Sequence, residues 1–172
     1  MKAIVWTLAF LVIGCGQHNG TPEVRLDKIT REIAAEFPQV PTLTPAELAA
    51  WLDDADREPP ILLDVREPNE FTVSHLPGAR RVDSDADVKK LLASLTPKRP
   101  VILYCSVGYR SSKLAEQLLE AGASDVRNLE GSIFRWANEG RPLQRDGMPA
   151  HQVHPYSSRY AEMLHPNLRS EP

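Results

Sequence analysis

Thiols are scarce in this chain: of its 172 residues, only Cys15 and Cys105 are cysteine. No Cys/His cluster stands at zinc-finger spacing and no internal repeat recurs, which sets aside a small metal-stapled module and a repeat array. Neither sign of charge is in large excess. Twenty Lys and Arg against 23 Asp and Glu give a net charge of −3, which argues against a nucleic-acid binder. Long apolar runs are missing too. The one candidate, AIVWTLAFLVIG at residues 3–14, is too short to span a bilayer comfortably and has the length of a signal-peptide core. What is present, 42% apolar and 25% charged residues, suits one soluble globular domain with extensions.

The apolar run follows Lys2 and ends in Val12-Ile13-Gly14-Cys15. That ending resembles the lipobox of bacterial lipoproteins, in which a cysteine after a small residue is lipidated and becomes the mature N-terminus. Residues 1–14 therefore read as a lipoprotein signal peptide and 15–23 as a polar tether. The expectation is an exported protein, lipid-anchored to the cell membrane or outer membrane, with its domain outside the cytoplasm. Gly16 is not an aspartate, so retention at an inner membrane is not indicated. With Cys15 carrying lipid, no internal disulfide can form and Cys105 is the free thiol. A single thiol in a disulfide-forming compartment is either buried and inert or kept for its reactivity.

Leu26, Ile29, Ile33 and Phe37 recur at helical spacing and predict a helix over 24–36 within an N-terminal extension, 24–43. Thr44, Pro45 and Glu47 supply a helix start, with the helix running to about 54. PPILLDVRE and PVILYCS are short continuous apolar runs, the mark of buried strands. Between them SHLPGARRVD offers a Pro77-Gly78 turn and a short strand, and SDADVKKLLASL a helix. GYRSSKLAEQLLEAGA reads as a helix ending at Gly122, DVRNLEG as a strand and SIFRWANEG as a short helix. Strands separated by helices imply parallel βαβ units. The tail, 144–172, reads as an extension with one helical turn near 157–164.

Cys105 lies where a buried strand meets a helix, in YCSVGYRSSK. At the carboxyl edge of a parallel sheet that junction is where ligands bind. Gly108 permits a tight turn, so successive backbone N–H groups can face the sulfur. The helix N-terminus and Arg110 add positive potential. Together these favour thiolate over thiol and form a cradle for an anion. Most free cysteines are merely small buried hydrophobes, but few stand in this context.

Three segments, LLDVREPNEFTVSHLPGA (62–79), VILYCSVGYRSSKLAEQLLEAG (101–122) and VRNLEGSIFRWANEGRPL (126–143), resemble in content and order the single-domain rhodaneses, the thiosulfate-type sulfurtransferases. The resemblance spans 44–143. It implies an α/β fold with a five-stranded parallel sheet flanked by helices, and a Cys105 that carries sulfane sulfur as a persulfide. Ser106, Val107, Gly108 and Tyr109 would form the sulfur loop with Arg110, and Asp64, Arg66 and His75 would support it. The expected partners are a small thiosulfate-like donor and an external thiol or other acceptor, with a monomeric chain and no metal or organic cofactor.

Cysteine phosphatases and arsenate reductases share this fold, but the related phosphatases use Cys-x5-Arg to hold a tetrahedral anion; Cys105 and Arg110 give Cys-x4-Arg, sized for one sulfur. A non-catalytic rhodanese-like binding module usually lacks the cysteine. A Cys105-His75-Asp64 triad finds little support, because His75 stands in a turn and reads as a structural histidine. His151, His154 and His165 read as solvated tail residues rather than metal ligands.

Overall fold

The computed structural model describes residues 20–82, 90 and 99–171. The expected signal segment with Cys15, and nearly all of the helix expected in SDADVKKLLASL, lie outside these residues. Five strands, β1 (Thr42–Leu43), β2 (Ile61–Asp64), β3 (Arg80–Arg81), β4 (Val101–Tyr104) and β5 (Val126–Leu129), form one sheet in the order β1-β5-β4-β2-β3. Every pairing in it is parallel, as expected.

Every residue of β2 and β4 is buried, which is why both read as apolar runs without alternation. Their register pairs Ile61 with Val101 and Asp64 with Tyr104, so the two strands end level with each other. From that edge the chain leaves β2 toward β3 on one side, and leaves β4 toward β5 on the other. The crevice outside the ends of β2 and β4 is therefore the topological switch point of the sheet.

Helices α1 (Pro22–Glu36), α2 (Pro45–Asp53), α3 (Pro68–Val73), α4 (Tyr109–Glu120) and α5 (Ser132–Asn138) flank the sheet. The α2 start is a reciprocal box, with the Thr44 N–H donating to Glu47 Oε2 (2.8 Å) and the Glu47 N–H to Thr44 Oγ1 (3.2 Å). Leu48, Trp51, Phe134 and Trp136 all face the core. The Leu76–Ala79 turn is closed by the Ala79 N–H on Leu76 O (3.1 Å), with Gly78 at φ +75.

Four features differ from the sequence reading, the first being helix α3, which the sequence reading left unassigned. Helix α1 starts at Pro22, because the Thr21 hydroxyl caps it and Pro22 suits its first turn; the end of the expected tether is helical. Strand β1 is two residues long, too short to show a pattern. The tail carries a hairpin, β6 (Leu143–Arg145) and β7 (Met148–Ala150). Asp146 (φ +50) and Gly147 (φ +76) form its two-residue turn.

Beyond the hairpin the tail folds back over the domain. Gln144 exchanges two backbone hydrogen bonds with His75, both 2.9 Å. Val153 pairs with Arg169, and Val153 and Leu164 are fully buried. A single-turn helix, α6 (Ser158–Ala161), lies where a helical turn was expected. The tail also meets α1, through His165 with Glu23 and through Arg25 with Glu162 (2.7 Å). The hydrogen bond from His165 holds the Glu23 carboxyl down to about 2.

Leu164→Ala should cost about 2–5 kcal/mol in urea unfolding. Hydrogen exchange should place the loosening in the tail, at Val153 and Tyr160, with the β2–β4 pair still protected.

Candidate active site

Cys105 follows the last residue of β4, at the switch point, and is 1% exposed. Its N–H donates to Ser132 Oγ (3.1 Å) at the start of α5. The Ile133 and Phe134 N–H groups donate to the carbonyls of Cys105 (3.2 Å) and Ser106 (3.1 Å), so α5 clamps the near side of the loop. On the far side the loop turns through Gly108 into α4. Gly108 has φ +113, and a Cβ there would meet Asn128 Nδ2 at 3.2 Å, so both conformation and space call for glycine. In that conformation the Gly108 N–H donates to the Cys105 sulfur at 3.1 Å.

The strongest electrostatic contact in the loop is one the sequence reading lacked. Glu70, on α3, is 1% exposed. Its carboxylate accepts from Arg110 Nη1 (2.7 Å), Arg110 Nη2 (2.8 Å), the Ser106 hydroxyl (2.8 Å) and the Glu67 N–H (3.0 Å). Burial alone would raise the carboxyl's affinity for a proton. The hydrogen bonds from Arg110, Glu67 and Ser106 outweigh it and hold Glu70 below the usual carboxylate value. Arg110 is half-buried. Its burial works against the charge, but Glu70 and then Cys105 raise its hold on the proton. The guanidinium thus sits in the field of both Glu70 and the sulfur, rather than as a free charge at the loop.

Asp64 and Arg66 form a second, fully buried pair at the same edge. Arg66 Nε and Nη2 donate to Asp64 (2.9 and 2.7 Å), and Nη2 also donates to Ser74 O (2.6 Å). The pair therefore ties the turn after α3 to the end of β2. Asp64 bonds Arg66 rather than the N–H groups of the Cys105 loop. His75 Nδ1 lies 3.2 Å from Phe71 O, with the ring stacked on Phe71 at 3.9 Å. His75 is thus engaged in its own turn and brings no base to Cys105. Among the described residues, no group of three or more His, Cys, Asp or Glu side chains gathers to hold a metal.

A cavity of about 80 Å³ opens above the loop, lined by Cys105, Ser106, Val107, Tyr109 and Arg110, with Tyr156 and Tyr160 from the tail. The Tyr109 hydroxyl donates to Glu36 Oε1 (2.8 Å), and its ring meets Phe37 edge-on at 5.4 Å, so α1 fixes this wall. Opposite, the Arg110 guanidinium lies 4.8 Å over the Tyr156 ring, which meets Tyr160 edge-on at 5.4 Å. Sequence reading found the five loop residues. It missed Glu70, whose place six residues past Asp64 in a short connection puts it at the same sheet edge. It also missed the two tail tyrosines, for which no local signal exists.

Residues 44–139 match the Rhodanese-like domain family. The match takes in more than half of the chain, and the protein belongs to that family. It is 34% identical over 115 residues to the probable adenylyltransferase/sulfurtransferase MoeZ of Mycobacterium tuberculosis, covering 66% of this chain and 29% of that one. The chain thus spans less than a third of that relative. It is 29% identical over 89 residues to the thiosulfate sulfurtransferase GlpE of Pseudoalteromonas translucida, covering 52% of this chain and 84% of that protein. The crystal structure of a thiosulfate sulfurtransferase from Pseudomonas aeruginosa superposes with a TM-score of 0.59 at 25% identity, over 83% of this chain and 26% of that one. At the level of the family, these relatives support a role in sulfur transfer.

Removing Arg110 as Arg110→Ala leaves Glu70 buried without its guanidinium and should cost about 3–5 kcal/mol at neutral pH. The wild type should lose stability in acid. A carboxyl whose native value is depressed below 4.5 stabilises the fold above that value, and this contribution is lost as pH falls through the lower native value. In the variant the unpaired carboxyl is instead relieved by taking up a proton. Urea unfolding of both proteins, from neutral pH into acid, should show the two stability curves converging.

Proposed function

We propose that the chain is a sulfurtransferase that moves sulfane sulfur from a thiosulfate-like donor to an external acceptor through a persulfide on Cys105. The observation that carries this reading is the sulfur's position. It lies at the switch point, accepts the Gly108 N–H at 3.1 Å, and opens on a small cavity. The Cys105 thiolate attacks the outer sulfur of the donor, the donor's S–S bond breaks, and sulfite leaves with the bonding pair when the donor is thiosulfate. The persulfide then gives its outer sulfur to an acceptor nucleophile and the thiolate returns. This is covalent, ping-pong chemistry. The loop N–H groups and Arg110 balance negative charge as it moves from one sulfur to the next, as an oxyanion hole does for oxygen. Glu70, Asp64 and Arg66 position the loop and its neighbouring turn. A four-residue spacing between Cys105 and Arg110, and a cavity of about 80 Å³, favour one sulfur over a tetrahedral phosphate. With Cys105 the free thiol, the acceptor comes from outside the chain.

We further propose that Cys15 is lipidated, that the protein acts as a monomer, and that the lipid holds the domain at the outer face of a membrane. The support is the residue pattern Val12-Ile13-Gly14-Cys15 after the apolar run. Among the described residues, no helix is long and apolar enough to cross a membrane. Two or more acyl chains hold a protein stably at a membrane, at about 0.8 kcal/mol per buried CH2.

Mass spectrometry of the full chain after exposure to thiosulfate should show a gain of one sulfur on Cys105. Cys105→Ser, nearly isosteric, should keep its thermal melting point yet gain no sulfur and lose thiosulfate-to-cyanide transfer. A Cys105→Ser protein that still transfers sulfur would remove the persulfide mechanism.

Cell fractionation of the native chain and Cys15→Ala tests the anchor. The native chain should partition with membranes as an acylated, processed protein and the variant should not. Equal solubility of the two rejects lipidation.

A further inference from the structure

Two of the seven residues that line the Cys105 cavity, Tyr156 and Tyr160, come from outside the matched family region, and the chemistry of the lining is one-sided. Among the described residues, Arg110 is the one charged side chain in the lining. That charge is already answered by the Glu70 carboxylate through two hydrogen bonds, at 2.7 and 2.8 Å. A dianionic donor entering beside a thiolate therefore meets only the backbone N–H groups and a compensated ion pair. The remaining walls are Ser106, whose hydroxyl donates to Glu70, Val107 and the rings of Tyr109, Tyr156 and Tyr160.

The two tail tyrosines are held in place rather than draped. Tyr156 has φ +62, a left-handed conformation rare for an aromatic residue. The strained backbone lays its ring under the Arg110 guanidinium at 4.8 Å and against Tyr160 at 5.4 Å. Behind them Leu164 is buried in the core, and Asn138 of α5 bonds both Met163 O (2.8 Å) and the His165 N–H (3.1 Å). The turn carrying the rings is thereby fixed to the domain.

We infer that Tyr156 and Tyr160 are specificity-determining residues, selecting sulfane donors that carry a single negative charge and a flat apolar carbon group over inorganic thiosulfate. This rests on the sulfurtransferase reading and names its donor class. An organic thiosulfonate, R–SO2–S⁻, represents that class. The Cys105 thiolate attacks its outer sulfur, the S–S bond breaks, the sulfinate R–SO2⁻ leaves with the bonding pair, and Cys105 is left as the persulfide anion. Two negative charges enter the step and two leave it. The R group lies against the tyrosine rings and the guanidinium face, where stacking is favourable and no second charge needs compensation.

The test uses the full chain with three donors, thiosulfate, methanethiosulfonate and benzenethiosulfonate, each with cyanide as acceptor and thiocyanate as the product measured. The expected order of kcat/KM is benzenethiosulfonate, then methanethiosulfonate, then thiosulfate, with roughly tenfold between first and last, mainly in KM. Tyr156→Gly removes the ring while keeping the left-handed backbone without strain, and Tyr160→Ala removes its neighbour. Both should bring benzenethiosulfonate level with methanethiosulfonate, with melting points confirming the fold. Thiosulfate used as well as or better than the two thiosulfonates by the native chain, or variants that keep the full native order, would overturn the inference and leave sulfur transfer standing. Cys105 loaded by none of the three donors would instead overturn the sulfurtransferase reading beneath it.

Discussion

A carboxylate that is 1% exposed must be met by donors wherever the chain can supply them, and Glu70 draws four into one place. Two come from Arg110 at the far end of the Cys105 loop and one from Ser106 at its near end. A loop gripped at both ends has little freedom between them, and the residues between are Val107, Gly108 and Tyr109. The conformation that turns the Gly108 N–H onto the sulfur is thus held from α3, an element that belongs to the other strand of the switch point. The level ends of β2 and β4 make this reach possible. The helix following β2 and the loop following β4 start side by side, so a short side chain bridges them.

The Asp64–Arg66 pair serves the same edge one layer back. It is fully buried, and an isolated pair of that kind repays its desolvation only when the remaining donors are also used. Arg66 spends one on Ser74 O, while its Nη1 is buried with no partner among the described residues. The result is a tie between the end of β2 and the turn carrying His75, whose backbone in turn pairs with Gln144 of the tail hairpin. Glu70 sets the loop, the Asp64–Arg66 pair sets the turn beneath Glu70's helix, and the turn receives the tail. Each step depends on burial making an unmet hydrogen bond costly.

Much of this was legible in the sequence, for identifiable reasons. The buried strands ILLD and VILY announce themselves as unbroken apolar runs, and Thr44-Pro45-Glu47 as a capped helix. The Cys105–Arg110 loop stands out because Gly108 and Arg110 flank a strand-to-helix junction. Less legible was what depends on chain reversal. Glu70 looks like any solvent-facing acid in a short helix until α3 is seen to lie beside the loop. Strand β1 is two residues long and owes its existence to β5 alone. Asp146-Gly147 is a readable hairpin signal, but its flanking strands, Leu143–Arg145 and Met148–Ala150, are three residues each, too short for alternation to frame it. Tyr156 and Tyr160 lie about fifty residues past the cysteine, and the docking of the tail, through buried Val153 and Leu164 and the Asn138 bonds to Met163 and His165, brings them back.

That last dependence bears on how one fold supports different sulfur chemistries. On the proposed sulfur-transfer reading, the sheet edge, the glycine turn and the buried acid hold the reacting sulfur, and none of them reaches the rest of the donor. On the same proposed reading, discrimination comes from groups in contact with the rest of the donor, and in this chain two of those groups, Tyr156 and Tyr160, stand on the tail beyond the matched domain. Helix α1 steadies Tyr109 through Glu36 and Phe37, while the tail supplies Tyr156 and Tyr160. The two flanking segments also bind each other, through Glu23 with His165 and Arg25 with Glu162. Their mutual contact ties the segment that steadies Tyr109 to the segment that carries Tyr156 and Tyr160. Separating the reacting centre from its entrance lets the entrance change in sequence while the Gly108–Cys105 contact, which tolerates no side chain at Gly108, stays as it is.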